Sequence, residues 1–256
     1  MSVRITWWGH ATTTIELGGI TVLTDPLLGT RLVHLRRVGS PPPPPDAARA
    51  DAVLVSHLHL DHLHLPSLRA VPDTAVVVVP ASAAPVVRGL SSPVREIAAG
   101  ERLQLTHDVS VRGVPAHHDG RRAPGSRHRA PALGYVVEHA GTRVWFAGDT
   151  GLFDAMADVV PVDIAVVPVG GWGPTLGPEH LDPAQAAEAV ARVGARDAVP
   201  MHYGTFWPVG LRRVAPRTFA RSFREPGERF AAAVTQRALP VQVHVIAPGG
   251  AVTIGG

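Results

Sequence analysis

The sequence contains no cysteine and no lysine. Without cysteine there can be no disulfide bridge, no thiolate zinc site and no cysteine nucleophile. All 24 basic residues are arginine, so the sequence pI of about 10.4 reflects the high guanidinium pKa, and the formal net charge is only +3. We therefore interpret the arginines at 121–129 and 212–224 as a solvated surface and expect no nucleic-acid partner.

Long apolar runs and targeting signals are also absent. No apolar run approaches the ~18–20 residues that a membrane span needs. The first residues, MSVRITWWGH, lack the apolar stretch of a secretory signal. We expect no membrane span and a cytoplasmic location. A hydrophobic content of 45% and a charged content of 18% are typical of a folded globular protein.

Short apolar segments, separated by turns, make up most of the chain. VRITWW, TTTIEL and ITVLT predict an antiparallel meander, and the Pro-rich SPPPPPD at 40–46 predicts a stiff surface loop. Helical periodicity is found at 183–193 and 225–236. Further strands are predicted at AVLVS, TAVVVV, RLQL, VSVRGVPA, LGYVVEH, TRVWFAGD, DIAVVPV, VQVHVI and GAVTI. This mixed order predicts a layered α/β fold.

The segment HLHLDHLHL at 57–65 has four histidines and an aspartate in nine residues. In an amphipathic strand, His57, His59 and Asp61 would share one face, which leaves the chemistry of that face unexplained. If the strand instead ends here and a helix follows, these residues and His62 converge within one loop. The spacing His-x-His-x-Asp-His is specific and favours half of a metal site.

Other residues able to bind metal ions follow apolar strands elsewhere. They are Asp25 after ITVLT, His117 and His118 after VSVRGVPA, Asp149 in FAGDT, and His202 in MHYGTF. Each alone has an ordinary interpretation, since Asp-Pro begins turns and a lone histidine is usually structural. Their joint occurrence at strand ends, where functional residues concentrate, predicts one shared site.

Together these residues resemble the motifs of the metallo-β-lactamase superfamily. More closely, the sequence is similar to the branch that includes N-acyl-phosphatidylethanolamine phospholipase D and ascorbate-6-phosphate lactonase. The segments that carry this similarity are WWGHAT, LTDPLL, the proline-rich loop, AVLVSHLHLDH, FAGDTG, EHLDPAQAAEA and MHYGTF. The resemblance covers almost the whole chain. It implies an α/β fold, a four-layer αββα sandwich, formed by a single domain over residues 1–256.

The resemblance also implies a ligand set for two metal ions. One ion would be held by His57, His59 and His118, the other by Asp61, His62 and His202, with Asp149 bridging them. His118 is preferred over His117 because Pro115 sets a Pro-x-x-His register, although a slip of one residue would exchange them. Two Zn²⁺ ions are expected, and Mn²⁺ or Fe²⁺ could fill the same geometry.

Three acidic or imidazole side chains are predicted to take part in catalysis: Asp61, His180 and Asp25. Asp25 would orient a metal ligand. His180, in GPEHLDP, is implied by the resemblance to bind or protonate the leaving group, but it could simply precede a helix capped by Asp182. For His10, a structural role and a role at the site remain equally open.

We expect a dinuclear metal-dependent hydrolase that uses a metal-bridging hydroxide on a small phosphodiester, lactone or other ester. Arg121 or Arg122 would bind the phosphate of a phosphodiester, and Trp172 and Trp207 would line a pocket or pack in the core. The alternatives are a nuclease, for which the chain has no spare length for an RNA-binding arm, and a non-catalytic metal-binding scaffold or sensor. The expected partner is a small-molecule substrate, and a homo-oligomer is left open.

Overall fold

Two seven-stranded sheets and a small third sheet make up the computed structural model, which describes residues 2–159, 161–171 and 176–255. In chain order the strands are β1 (Ser2–Gly9), β2 (Thr12–Leu17), β3 (Ile20–Thr24), β4 (Arg31–Leu32), β5 (Leu35–Arg37), β6 (Ala52–Leu54), β7 (Val76–Pro80), β8 (Val94–Ile97), β9 (Arg102–Gln104), β10 (Val109–Pro115), β11 (Leu133–His139), β12 (Thr142–Phe146), β13 (Ile164–Pro168), β14 (Asp197–Met201), β15 (Phe206–Pro208), β16 (Gln242–Val243) and β17 (Ala251–Gly255).

Both large sheets change from antiparallel to parallel pairing. The first has the order β17-β1-β2-β3-β6-β7-β8, and its pairs from β3 to β8 are parallel. The second has the order β16-β14-β13-β12-β11-β10-β9, and its pairs from β12 to β16 are parallel. Two antiparallel steps separate β10 from β12, so these two strands run in the same direction. The carboxyl ends of strands that run in one direction meet at one sheet edge.

The inner faces of the two sheets share a single hydrophobic core. Ile5 and Ile15 of the first sheet belong to the same buried cluster as Val111, Tyr135 and Val166 of the second. Alternate side chains of a strand point to opposite faces, so Val53 and Val77 pack outward into a separate cluster. The two sheets therefore pack face to face, as the sandwich prediction requires.

Helices cover the outer faces unequally. The helices are α1 (Leu65–Leu68), α2 (Ala84–Val87), α3 (Pro183–Arg192), α4 (Leu211–Val214), α5 (Pro216–Phe219) and α6 (Pro226–Gln236), with 3₁₀ turns at Pro45–Ala48 and Asp154–Asp158 and a π-helical turn at Ala220–Arg224. Amphipathic α3 and α6 pack on β13 and β14. The first sheet is covered by the four-residue α1 and α2 and by loop leucines such as Leu58 and Leu63. The four-layer αββα prediction is confirmed, with one thin outer layer.

Most of the predicted elements form, with local differences. Asp182 caps α3 in a reciprocal capping box with Gln185, as expected. VQVHVI contributes only the two residues of β16. The segment between β3 and the Pro-rich loop, where no strand was predicted, holds β4 and β5, which pair with β15 as a third sheet. None of the described helices has the length and apolarity that crossing a membrane requires.

Candidate metal centre

The predicted metal-binding residues gather at one edge of the sandwich. Asp25 follows β3, His57 follows β6, His118 follows β10, Asp149 follows β12 and His202 follows β14. All five strands run in a direction that brings their carboxyl ends to this edge. Four of the five side chains are buried and His118 is partly buried. The sheet topology therefore brings together residues that are up to 177 positions apart.

The first group of donors consists of His57, His59 and His118. His57 Nε2 lies 2.9 Å from His59 Nδ1, and His118 Nε2 lies 3.2 Å from the same nitrogen. All three rings contribute one nitrogen to a common point, with these nitrogens within 4.8 Å of one another. Three imidazoles around one point leave a tetrahedral ion one open position.

The second group of donors consists of Asp61, His62 and His202. His62 Nε2 lies 3.2 Å from His202 Nε2 and 3.6 Å from Asp61 Oδ2. His10 joins this group, because its Nε2 donates to Asp61 Oδ2 at 2.9 Å. The sequence left the role of His10 open; in the structure it is buried and contacts a predicted ligand.

Asp149 lies between the two groups. Its Oδ1 is 3.1 Å from His202 Nε2, and its Oδ2 is 3.2 Å from His62 Nε2. The same carboxylate forms a further candidate group with His118 and His180. This carboxylate therefore contacts the second group directly and lies within 4.8 Å of His118 of the first, which is the position that a bridging ligand needs.

Asp25 does not face the centre but supports it from behind. Its Oδ1 accepts the backbone N–H of Ser56 at 2.7 Å, and its Oδ2 accepts the Ser56 hydroxyl at 2.6 Å and His62 Nδ1 at 2.7 Å. Because Ser56 Oγ gives its proton to Asp25, it accepts from His57 Nδ1 at 2.9 Å. One fully buried carboxylate thus orients two imidazoles, as outer partners of metal ligands usually do.

Backbone carbonyls orient two more imidazoles. His118 Nδ1 donates to Glu179 O at 3.0 Å, and His202 Nδ1 donates to Gly170 O at 3.1 Å. A neutral imidazole has one N–H, so donation from Nδ1 leaves a lone pair on Nε2. In their neutral forms, His57, His62, His118 and His202 therefore all direct Nε2 lone pairs toward the centre.

This arrangement fits divalent cations. Lone pairs that face each other at about 3 Å repel unless a positive charge lies between them. Asp149 Oδ1 is buried and accepts no hydrogen bond from the described part of the chain. Imidazole and carboxylate together form a donor set for Zn²⁺, and also for Mn²⁺ or Fe²⁺. The residues at this edge therefore could hold metal ions.

The electrostatics also favour bound cations. Burial alone lowers the pKa of His62, but the charges of Asp149, Asp61 and Asp25 outweigh it and hold that pKa well above its usual value. Burial and neighbouring imidazoles, His62 first, lower the pKa of His57. Burial would raise the pKa of Asp149, but the charges of His202 and His62 hold it well below its usual range. Asp149 therefore stays ionised, and the raised pKa of His62 shows that the cluster favours a positive charge at this point.

The structure shows the positions of side chains whose roles the sequence left open. His118 faces the cluster, whereas the ring of His117 packs toward Phe153 with centroids 6.4 Å apart. Trp207 is a core residue packed against Phe219 and Phe223. Trp172 lies outside the described residues.

Arg122 has a different position from the one expected of a phosphate ligand. Its Nη1 donates to the carbonyls of Leu58 and Leu63, each at 2.6 Å, inside the loop that carries the histidines. The backbone of Arg121 forms an isolated antiparallel β-bridge with that of Arg129. Arg122 therefore holds the ligand loop together. No local pattern indicates this role, because its partners lie about 60 residues earlier.

A cavity of about 400 Å³ opens above the centre. His59, Asp61, Asp149 and His180 contribute to its lining, as does the tip of the hairpin formed by β4 and β5. His180 Nε2 is 3.5 Å from Asp149 Oδ2, and its Nδ1 has no partner among the described residues. His180 therefore lies at the wall of the cavity beside the predicted bridging residue.

Known proteins resemble this chain along nearly its whole length. A family model described as a β-lactamase superfamily domain matches residues 21–203. The UPF0173 metal-dependent hydrolase of Methanopyrus kandleri is 30% identical over 258 residues, covering 96% of this chain and 98% of the relative. N-acyl-phosphatidylethanolamine-hydrolyzing phospholipase D 1 of Caenorhabditis elegans is 28% identical over 230 residues, which is 80% of this chain and 64% of that relative.

The solved structure of a metallo hydrolase from the archaeon Ignicoccus hospitalis has the same fold, with a TM-score of 0.74, 21% identity and 100% coverage of both chains. The resemblance read from the motifs is thus confirmed by sequence and by fold. The chain belongs to the metallo-β-lactamase superfamily, in a family of metal-dependent hydrolases.

Proposed function

We propose that the protein is a dinuclear metallohydrolase of a small ester, lactone or phosphodiester. The observation that carries the proposal is the pair of donor groups, His57, His59 and His118 on one side and Asp61, His62 and His202 on the other. Each group supplies three donors, and Asp149 contacts the second group and lies close to His118 of the first. A single structural ion would need four protein ligands around one point and no second group of donors.

Two divalent cations would supply an acidified water and polarise the carbonyl or phosphoryl oxygen under attack. The protein's part is to hold the donors in place. His10 fixes Asp61, and Asp25 fixes His62 and, through Ser56, His57. These hydrogen bonds set the donors before substrate binds.

His180 is the residue best placed to assist the leaving group. Hydrolysis adds water across the ester bond, so the departing oxygen must gain a proton. The His180 ring lines the cavity, its Nε2 lies next to Asp149, and its Nδ1 has no partner in the described chain. We expect His180→Asn to lower kcat by about 10²–10⁴-fold. Metal content, measured by elemental analysis, should stay unchanged.

The cavity favours a small substrate with an apolar part. Leu32, Leu35, Leu60 and Pro124 contribute to its walls above the polar floor. Arg122 reaches the cavity, but its Nη1 is occupied by the loop carbonyls, which weakens the case for phosphate recognition and favours a lactone or carboxylic ester. The name of the Caenorhabditis elegans relative describes a phospholipid hydrolase, which supports the phosphodiester version. Both substrate classes therefore belong in the test.

The test begins with elemental analysis of the purified protein. The metal-loaded protein is then assayed on aryl esters, lactones and bis-aryl phosphates. We expect about two metal ions per chain and hydrolysis of at least one class, because each donor group completes one site. His59→Ala should abolish the activity and lower the metal content. His107→Ala is the matched control, because the side chain of this histidine is exposed and its partner among the described residues is Asp108.

Retained activity in His59→Ala would contradict the mechanism. Two bound ions without turnover of any class would instead favour the scaffold or sensor, and cleavage of RNA alone would favour the nuclease.

A further inference from the structure

A second cavity, of about 540 Å³, is lined by arginines and hydroxyl groups. Among the residues that the structure describes, it shares none of its lining with the cavity above the metal centre. Gly170 and Gly171 form part of it, and three guanidinium groups surround it, those of Arg217, Arg221 and Arg229. Its volume is within the range of small-molecule sites, about 300–1,000 Å³.

The helical segment that runs from α5 into the π-helical turn presents two different faces. Phe219 and Phe223 stack with centroids 4.5 Å apart and pack edge-on against buried Trp207. This aromatic contact anchors one face. Arg217 and Arg221 are four residues apart, so they lie on a common face of the segment. That face lines the cavity.

Hydroxyl groups accompany the guanidinium groups. Thr218 and Ser222 are also four residues apart, and both line the same cavity. Guanidinium and hydroxyl groups are hydrogen-bond donors to phosphate oxygens, and the planar guanidinium matches them in a bidentate manner. The π-helical turn that carries Arg221 and Ser222 is a rare element that frequently occurs at functional sites.

These arginines have no acidic partner within the described ranges. The ion pairs there involve none of Arg217, Arg221 and Arg229. The acidic side chain at the cavity is Asp182, and its Oδ1 already accepts Gln185 N at the start of α3. By contrast, the guanidinium groups of Arg212 and Arg224 lie over the ring of Phe219.

Like charges four residues apart on a helix repel each other. A bound anion between Arg217 and Arg221 would remove that repulsion. We propose that this cavity binds a small molecule carrying a phosphate group, at a site separate from the metal centre. Gly170 connects the two regions, since it lines the cavity while its carbonyl accepts from His202. The inference does not depend on the hydrolase proposal.

Titration calorimetry of the metal-loaded protein with pyrophosphate at low ionic strength tests the proposal. Four proteins are compared: the wild type, Arg217→Gln/Arg221→Gln, the control Arg69→Gln/Arg88→Gln, and His59→Ala. The control residues are exposed arginines that do not line the cavity. The paired cavity variant should bind pyrophosphate on the order of tenfold more weakly, because it loses charge-assisted hydrogen bonds.

The control and His59→Ala should both bind as the wild type does. Thermal melting checks that the cavity variant folds. We expect it to fold, because Arg217 and Arg221 are exposed. Three results would overturn the proposal: no binding by the wild type at millimolar pyrophosphate, equal weakening in the Arg69/Arg88 control, or loss of binding in His59→Ala alone. The last result would place the anion at the metal centre, whether or not that centre catalyses hydrolysis.

Discussion

Three residues of the metal centre have left-handed backbone angles that side chains other than glycine rarely adopt. The φ angles are 55° at His10, 34° at Asp25 and 63° at His202. Such conformations cost roughly 1–3 kcal/mol each and persist where the surrounding structure holds them. The hydrogen bond from His202 N to His10 O ties two of these residues together. Local backbone strain is therefore present at residues that position the donors, in addition to four other non-glycine residues of the described chain, Val33, Ser82, Ala140 and Ala238.

Asp25→Asn tests the support behind the imidazoles. The amide would place an N–H group toward donors that now meet a carboxylate oxygen, so His62 or Ser56 would lose its acceptor. We expect metal affinity to fall about 10–100-fold. Competition with a chromophoric chelator measures the change. Asp51→Asn is the control, since Asp51 also accepts a backbone N–H, from Thr21, but at an exposed position away from the centre. If Asp25→Asn and Asp51→Asn bound metal with the same affinity, Asp25 would not support the metal ligands in this way.

At the scale of elements, the loop from His57 to the start of α1 depends on one distant side chain. Arg122 Nη1 contacts carbonyls at both ends of the ligand segment. In Arg122→Lys, the side chain is shorter, so its nitrogen does not reach the position from which Nη1 donates to both carbonyls. We expect weaker metal binding and a lower melting temperature. Arg121→Lys, at the neighbouring position, should leave both properties close to wild type. A wild-type metal affinity in Arg122→Lys would show that the loop holds its shape alone.

The sequence predicted the strand ends and the residues gathered there, because apolar runs followed by His or Asp are local patterns. It could not predict the sheet of β4, β5 and β15, since strands of two or three residues show too little alternation to be recognised. The contact of His10 with Asp61 and the position of Arg122 also remained hidden. Both depend on tertiary contacts between segments that are about 50–60 residues apart.

At the scale of the molecule, donors from both sheets meet in one centre. Bound ions would therefore stabilise the packing of one sheet against the other, in addition to the shared core. Ligands that bind only the folded state stabilise it by about 4 kcal/mol at a thousandfold excess over the dissociation constant. Removal of metal by a chelator should thus lower the melting temperature, measured by calorimetry.

We also expect a single melting transition with and without metal, because the proposed single domain has one core across both sheets. Restoring the metal should restore the melting temperature. Two separate transitions in the metal-free protein would contradict the single-domain proposal.

The order of the donors along the chain has a consequence for biosynthesis. On the proposed assignment, His57, His59, Asp61 and His62 leave the ribosome early, but His118 completes the first group only later. The second group waits for His202, the last of the donors in the chain. A growing chain that ends before His202 cannot hold both ions in this way, so full metal loading must wait until His202 has left the ribosome.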